Sequence, residues 1–323
     1  MTDAQLLERQ KWFVNLRFGM FIHFNSGTFQ FANNPKIKDW EYDYENHGKP
    51  RYEVFKEEWF NPTKLDCKGW AKAAKKMGMT FGCLTSKHHE GFDLWPSEYT
   101  DHCVKNAAIS TDVIKEYVEA FRSEGLEPGL YFSMLDVHHR IGRDKCTEAD
   151  KTFIKNQLRE LLTNYGEIPF IIFDGWQAHW GGPSYKNLPF EEIDEFIKSI
   201  QPNCLVINHS CESNLNHTDV VFYENAAGQS PDDVFCGPGA GGNILTDCWF
   251  NRTEHKTMQL KSAEWAIEKI NDLNKRNVTF LLNCSPNQEG TIDDNMLERY
   301  EEIGKLYKRC PDLTEIPPHW LKR

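Results

Sequence analysis

The chain has 323 residues, 40% of them hydrophobic, and a formal net charge of −11. This length and apolar content can bury a large core, whereas the negative balance disfavours a nucleic-acid-binding surface. No apolar run reaches the roughly 18 residues of a membrane-spanning helix, and the N-terminal sequence MTDAQLLERQ lacks the basic and apolar regions of a signal peptide. The ten cysteines form no CxxC pair, so we expect buried thiols and a cytoplasmic location.

Short apolar runs, typical of buried strands, alternate along the chain with segments that have apolar residues at helical spacing. In chain order the apolar runs are RFGMFIHF (17–24), TFGCLTSKHH (80–89), LEPGLYFSML (126–135), PFIIFDGW (169–176), NCLVINHS (203–210), DVVFYENA (219–226), NILTDCW (243–249) and NVTFLLNCSPN (277–287). Repeated alternation of strand and helix predicts a parallel sheet. The length fits one closed (β/α)8 barrel domain, a TIM-like barrel, over residues 1–323, with 309–323 as a short C-terminal extension.

An open doubly wound sheet is the alternative fold. Such a sheet normally has a Gly-rich phosphate turn after its first strand, and FIHFNSGTF contains no GxGxxG. The long aromatic segment 30–61 is typical of a loop over the mouth of a barrel.

Polar side chains recur where the predicted strands end. They are His23, His88, His89, Tyr131, Asp136, Asp174, Asn208, Glu224, Cys248, Glu254 a little beyond, and Asn283. Chemistry in a (β/α)8 barrel takes place at the carboxyl ends of the strands, so this concentration predicts an active site there.

Asp174 is the sharpest of these signals, because it follows an apolar run directly in PFIIFDGW. A carboxylate is costly inside a strand that is buried on both faces, and it belongs at the rim, as a nucleophile, a general base, a helix cap or an ion-pair partner. Glycoside hydrolysis would need a second carboxylate. The candidates are Glu224, Glu254, Glu212 and Glu90.

The adjacent histidines His88 and His89 would point to opposite faces of a regular strand. Both can reach one pocket only if the chain bends, which Gly91 permits. Neutral imidazoles donate and accept hydrogen bonds and so suit sugar hydroxyls.

A metal-dependent hydrolase must also be weighed, because the potential ligands are numerous: His23, His88, His89, His138, His139 and Asp136. The first predicted strand, however, has no His-X-His pair, and the chain has no His-Glu-X-X-His motif. We therefore expect neither a metal nor another cofactor in catalysis.

Several segments resemble, in order, the motifs of glycoside hydrolase family 29, the retaining α-L-fucosidases. They are RFGMFIHF, SKHHEGFDLWPSEYTDHCV, EGLEPGLYFS, FIIFDGW, WFNRTE and VTFLLNCSPNQEGTID. The resemblance spans about Arg17 to Asp293. It implies a catalytic (β/α)8 domain without the C-terminal β-sandwich that usually follows, because only a short tail remains after the last motif.

The resemblance also implies roles for matching residues. Asp174 is similar to the catalytic nucleophile, and Glu254 falls in the Asn-Arg-X-Glu stretch that carries the acid/base. The histidines His23, His88 and His89 match those that hold the fucose hydroxyls. Tyr131 matches an aromatic hydroxyl near the nucleophile, and Asp39 with Trp40 corresponds to a Glu-Trp pair in the substrate loop.

Some positions depart from the family pattern. The His-Trp-Gly after the first strand is His23-Phe24-Asn25 here, Ile172 replaces a tryptophan, and Asn277 replaces a helix-ending glycine. The resemblance implies an exo-acting retaining α-L-fucosidase whose partner is a fucosylated oligosaccharide or glycoconjugate, and neither a membrane nor a nucleic acid. A glycosidase for another 6-deoxy or galacto-configured sugar, a non-catalytic fucose-binding barrel, and a homo-oligomer in which a neighbouring copy closes the pocket all stay open.

Overall fold

The computed structural model describes residues 1–33, 55–143, 145–178, 181–209 and 214–320. The strands are β1 (Phe18–Ile22), β2 (Phe81–Lys87), β3 (Glu127–Ser133), β4 (Phe170–Asp174), β5 (Leu205–Asn208), β6 (Val221–Glu224), β7 (Gly239–Asn243) and β8 (Val278–Cys284). The α-helices are α1 (Asp3–Asn15), α2 (Ser26–Asn33), α3 (Cys67–Lys76), α4 (Val113–Ser123), α5 (Glu148–Asn164), α6 (Phe190–Ile200), α7 (Ala263–Lys275) and α8 (Asp294–Leu306). Short 3-10 helices cover Glu57–Trp59, Val104–Asn106, Asn225–Ala227 and Thr253–Thr257.

The strands form one parallel sheet in the order β5-β4-β3-β2-β1-β8-β7-β6. The first and last strands of the chain, β1 and β8, pair with each other through Phe18–Phe280 to Ile22–Cys284. That pairing curls the sheet into a nearly closed barrel, so the predicted (β/α)8 fold is confirmed and the open doubly wound sheet is not.

The barrel has a seam between β5 and β6, the two strands at the ends of the sheet order. The residues just before β6 bridge this seam. The Val206 amide donates to the Asp219 carboxylate at 2.8 Å, and the Asp219 amide donates back to the Val206 carbonyl at 2.9 Å. The Asn208 amide donates to the Thr218 hydroxyl at 2.9 Å. Side chains therefore supply part of the hydrogen bonding that a regular ladder would supply.

The apolar core has two layers, one between the sheet and the helices and one inside the barrel. Helix α1, which the alternation pattern does not include, closes the amino-terminal end of the barrel. Its Phe13 ring packs against Phe81 and Phe170, with centroids 6.1 and 5.2 Å away. A Cβ at Gly129 would lie 2.0 Å from the Phe170 ring, so glycine is needed there. The interior is thus packed at this end and can open only at the other.

The seventh strand differs from its prediction. The sequence favours 243–249, but β7 is Gly239–Asn243 and the apolar residues after it form a loop. The sequence GAGGN has almost no side chains to carry a strand pattern. The glycines are required by close neighbours, since a Cβ at Gly241 would lie 2.5 Å from the Asn225 side chain. Packing decides this strand, not local propensity.

The predicted mouth loop, 30–61, is described only at its ends, which hold part of α2 and the helix Glu57–Trp59. In the part of the chain that the structure describes, every helix is too short or too polar to cross a membrane.

Candidate active site

A cavity of about 390 Å³ opens at the carboxyl ends of the strands. It brings together seven of the residues that the sequence singles out: His23, His88, His89, Tyr131, Asp174, Glu224 and Cys248. Its other lining residues are Phe21, Ile172, His209, Phe222, Ala226, Ala227, Ile244, Asp247 and Trp249. The side chains come from several strands, as the barrel geometry requires.

Asp174 ends β4 and accepts hydrogen bonds on both oxygens. The Tyr131 hydroxyl donates to Oδ2 at 2.8 Å, and the Gly175 amide donates to Oδ1 at 2.6 Å. The imidazoles of His89 and His209 lie 3.5 and 3.3 Å from the carboxylate. Burial alone would raise the pKa of Asp174, but the two histidines and the Tyr131 hydroxyl outweigh it and hold that pKa well below its usual range. The carboxylate is therefore ionised and held in one orientation.

His88 and His89 both lie beyond the end of β2, so the alternation of a regular strand no longer applies to them. A register shift in β2 between Thr85 and Lys87 precedes them, and Gly91 follows with φ +106°. The His88 ring stacks on Tyr131 with an interplanar angle of 13°. Both rings line the cavity. Burial, the largest cause, lowers the pKa of each, so both stay neutral near pH 7.

His23 follows β1 and is fixed from two sides. Its Nδ1 lies 2.7 Å from the Asn283 side-chain oxygen at the end of β8, and its ring packs at 4.7 Å against Trp249. Burial lowers the pKa of His23 to about 3. A neutral His23 with one ring nitrogen held by Asn283 leaves the other available toward the cavity.

Glu224 ends β6 and is the carboxylate across the cavity from Asp174. Its Oε1 accepts a hydrogen bond from the Trp249 indole at 2.9 Å. Burial raises the pKa of Glu224, and the negative charge of Asp174 adds to the rise. The His209 ring lies between the two carboxylates, 3.3 Å from Asp174 through Nδ1 and 3.9 Å from Glu224 through Nε2.

His209 is a pocket residue that the sequence reasoning missed. It lies one position beyond the end of β5, where the analysis singled out Asn208 instead. Asn208 faces away from the cavity and donates to the Tyr185 hydroxyl at 2.6 Å. The signal was present in VINHS, because the residue after a strand end can turn inward as readily as the last strand residue.

Glu254 is not brought to the cavity. It lies on the short helix Thr253–Thr257 with its side chain exposed, outside the residues that line the pocket. Asp39, Trp40 and the alternative carboxylate Glu212 lie outside the described residues. Glu90 is buried beside the pocket wall and accepts from His102. Asp136 is also buried and pairs with Lys87 at 3.2 Å.

The cavity histidines do not form a metal-binding group within the described ranges. The one group there with suitable geometry consists of Glu90, His102 and His138, none of which lines the cavity.

Comparison with known proteins identifies the family of the chain. The sequence profile of the family described as Alpha-L-fucosidase matches residues 2–310. The chain belongs to the α-L-fucosidase family, glycoside hydrolase family 29. Among α-L-fucosidase sequences, it is 29% identical to Alpha-L-fucosidase 1 of Arabidopsis thaliana over 315 residues, which is 89% of this chain and 57% of the plant protein. It therefore spans little more than half the length of that relative.

Solved α-L-fucosidase structures share the fold. Alpha-L-fucosidase isoenzyme 1 from Paenibacillus thiaminolyticus superposes with a TM-score of 0.77 at 28% identity, covering 93% of this chain and 75% of that one. A GH29 α-L-fucosidase from Bacteroides thetaiotaomicron superposes with a TM-score of 0.76 at 25% identity, covering 92% and 73%. The latter was trapped as a covalent intermediate with 2-fluoro-fucosyl fluoride.

Proposed function

We propose that this chain is an exo-acting, retaining α-L-fucosidase that removes terminal α-L-fucosyl residues from oligosaccharides or glycoconjugates. The observation that carries the proposal is a pair of carboxylates, Asp174 and Glu224, that face one cavity and have pKa values displaced in opposite directions. Such a separation of pKa values is the usual basis for dividing acid and base roles between two carboxyl groups.

Asp174 is the nucleophile in this scheme. It is ionised and fixed by Tyr131 and Gly175. Its oxygen attacks the anomeric carbon as the bond to the leaving oxygen breaks, which gives a covalent fucosyl-enzyme. Water then attacks the same carbon, and Asp174 leaves as a carboxylate.

We assign the acid/base role to Glu224 rather than to Glu254. Glu224 lines the cavity, and burial and the charge of Asp174 raise its pKa, so it can hold a proton for the leaving oxygen. When Asp174 becomes an ester its charge is lost, and the pKa of Glu224 falls. Glu224 can then accept the proton of the attacking water. The exposed Glu254 does not line the cavity.

The neutral imidazoles of His23, His88 and His89 suit the sugar hydroxyls, because each ring can donate or accept. The rings of Phe21 and Phe222 give the same cavity an apolar wall that suits a 6-deoxy methyl group. A sugar with a hydroxymethyl group at that position would bury a hydroxyl there, at a cost in binding.

The decisive test compares Glu224→Ala with Glu254→Ala as its matched control. On a fucosyl disaccharide, whose leaving group needs a proton, we expect kcat/KM to fall by about 10²- to 10⁴-fold in Glu224→Ala and to stay near wild type in Glu254→Ala. An activated aryl fucoside should hide most of the Glu224→Ala defect. The reverse pattern would return the acid/base role to Glu254.

Asp174→Ala tests the nucleophile. We expect a folded protein with almost no turnover, and added azide should yield β-fucosyl azide because azide takes the place of the carboxylate. In the wild type, NMR should show α-fucose as the first product. Near wild-type turnover in Asp174→Ala, or β-fucose as the first product, would contradict double displacement. Fucose binding without hydrolysis of any glycoside would indicate a binding protein instead.

A further inference from the structure

A second cluster of titratable side chains lies outside the cavity, beside the His88-His89 segment. Glu90 follows the two histidines, His102 lies further along the same connection between β2 and α4, and His138 lies in the connection after β3. Glu57, on the short helix before α3, joins them. None of the four lines the pocket, so the proposed hydrolysis does not explain them.

The contacts centre on His102, which is 1% exposed. Its Nδ1 pairs with the Glu57 carboxylate, and its Nε2 lies 2.7 Å from Glu90 Oε1. The His138 ring stacks on His102, with centroids 3.7 Å apart and planes 6° from parallel. One potential ligand atom from each of Glu90, His102 and His138 lies within 4.8 Å of the others.

Glu90 also has an oxygen that no group of the described residues satisfies. Its side chain is buried, and Oε2 has no hydrogen-bond donor among the described residues. A carboxylate oxygen that is buried without a hydrogen-bond donor or a cation is destabilising. The nearby buried cation, Lys87, is already held by Asp136 at 3.2 Å and Gln157 at 3.0 Å. Among the described residues this oxygen thus lacks a cation, and a bound positive ion would satisfy it.

We propose that Glu90, His102 and His138 bind one divalent transition-metal ion, with zinc as the best match. Imidazole nitrogen and carboxylate oxygen are ordinary zinc ligands, and three protein ligands leave a position for water. Zinc–ligand bonds of about 2.0–2.2 Å place neighbouring tetrahedral ligand atoms roughly 3.3–3.6 Å apart. His102 Nε2 and Glu90 Oε1, now 2.7 Å apart, must therefore separate as the proton between them leaves. His138 must also turn out of its stack on His102 toward the ion.

The pairing of Glu57 with His102 is the second feature that matches a metal site. A metal-bound histidine commonly donates its other ring N–H to a carboxylate, which fixes the tautomer and the ring orientation. With Nδ1 held by Glu57, loss of the Nε2 proton that Glu90 now accepts would free the Nε2 lone pair of His102 for the ion. Glu57 thus orients a ligand without binding the ion.

Such an ion would be structural, because it joins the connection between β2 and α4, which carries Glu90 and His102, to the connection after β3, which carries His138. The backbone already links these two connections: the His138 amide donates to the Glu90 carbonyl at 3.0 Å, and the Val137 amide donates to the His89 carbonyl at 2.9 Å. Metal binding at Glu90 and His138 would reinforce this link directly behind His88 and His89. The ion stabilises the pocket wall and takes no part in bond cleavage.

The test loads the full-length chain with zinc, removes excess ion by gel filtration and measures bound metal by mass spectrometry. We expect close to one zinc ion per chain in wild type, and loss of that ion in Glu90→Gln and His138→Asn. His217→Asn is the matched control, since His217 is also half-buried and stacks on an aromatic ring, that of Tyr185. It should keep the metal.

Two measurements on the wild type do not depend on how the variants fold. A strong chelator should lower Tm, and zinc should restore it. Cobalt should give visible absorption bands of a low-coordinate nitrogen and oxygen site, which zinc should abolish. Substoichiometric zinc, a Tm that does not respond to chelator, or full zinc retention in His138→Asn would overturn the proposal. Those results would mean that a proton on His102 alone holds the two glutamates together.

Discussion

Asp174 remains ionised although its side chain is only 13% exposed, because each of its oxygens has a donor. A backbone amide, a phenol and two imidazoles surround it, so the surrounding groups replace water as its solvent. At Glu224, burial and the charge of Asp174 outweigh His209 and the single indole donor, so its pKa moves the other way. The same functional group thus acquires two different chemistries from its surroundings.

The Tyr131 hydroxyl provides the first prediction. Because it donates to the charged form of Asp174, Tyr131→Phe should raise the pKa of that carboxyl and move the acid limb of the kcat/KM profile to higher pH. The plateau should change by less than about tenfold, near 1.4 kcal/mol, since this hydrogen bond weakens as the carboxylate loses its charge. A pH series with an aryl fucoside measures both effects.

Tyr117→Phe is the control for this substitution. Its hydroxyl is also buried, but it donates to the Gly129 carbonyl in the barrel wall at 3.0 Å. We expect a small loss of stability and an unchanged acid limb. An identical shift in both variants would mean that the limb reports general destabilisation and not the ionisation of Asp174.

Individual residues differ in how far the sequence predicts them. Asp174 is found because a carboxylate directly follows an apolar strand, and Glu224 because it ends another such run. Glu254 is suggested by a motif, but the path of its loop decides whether it faces the pocket, and no local pattern encodes that path. His209 is not predicted from the sequence, because the strand pattern ends one residue before it.

Among the elements of the fold, the two strands at the seam, β5 and β6, position groups of the candidate active site. His209 follows β5 and Glu224 ends β6, so the two groups that face Asp174 from this side are held by strands that do not pair directly. Asp219, just before β6, stabilises the seam through two contacts. Its carboxylate accepts from the Val206 amide and pairs with buried Lys198 at 2.7 Å.

We therefore expect Asp219→Ala to lower the free energy of unfolding by about 3–5 kcal/mol, because it removes the nearest carboxylate from the buried Lys198 charge. Asp219→Asn should cost less, since the amide oxygen can still accept from Val206. Urea unfolding of both variants measures the difference. Glu289→Gln, which breaks an exposed pair with Lys64, should remain close to wild type. Equal stability of Asp219→Ala and Glu289→Gln would show that the seam does not depend on Asp219.

The elements themselves are predicted unevenly. Seven strands carry apolar or β-branched residues that give a pattern, and the structure has a strand within each of those runs. The strand β7 consists almost entirely of glycine and alanine, because its neighbours occupy the space that larger side chains would need. It therefore has no apolar pattern that would predict a strand. Its position depends on contacts with α7, β6 and β8, which a local reading of the sequence does not contain.

In the molecule as a whole, the two ends of the barrel differ in polarity. The amino-terminal end is filled by α1 and a cluster of phenylalanines, whereas the carboxyl end concentrates buried imidazoles around one carboxylate. Repeated alternation of strands and helices predicts the barrel, and the barrel predicts which end is polar. The packing of α1 and the phenylalanines into the amino-terminal end is not predicted, since α1 precedes the first strand and lies outside the repeated strand–helix alternation.

The buried ionisable groups at the polar end make the stability of the whole chain depend on pH, and His23 makes a measurable contribution to that dependence. Its pKa is about 3 when folded, because burial outweighs the hydrogen bond to Asn283 and the charge of Asp174, against about 6.5 when unfolded. A base with a lowered pKa contributes stability that is present above about pH 6.5 and is lost as the pH falls toward the folded value.

We therefore expect the free energy of unfolding of the wild type to fall by about 2 kcal/mol between about pH 7.5 and about pH 5 because of His23. His23→Asn should not show this loss. Denaturant unfolding of both proteins at each pH gives the comparison, and other titrating groups cancel in the difference. The stability gap between the two proteins should narrow on acidification; a gap that stays constant would mean that the His23 ring titrates with an ordinary pKa and that the pocket is open to water.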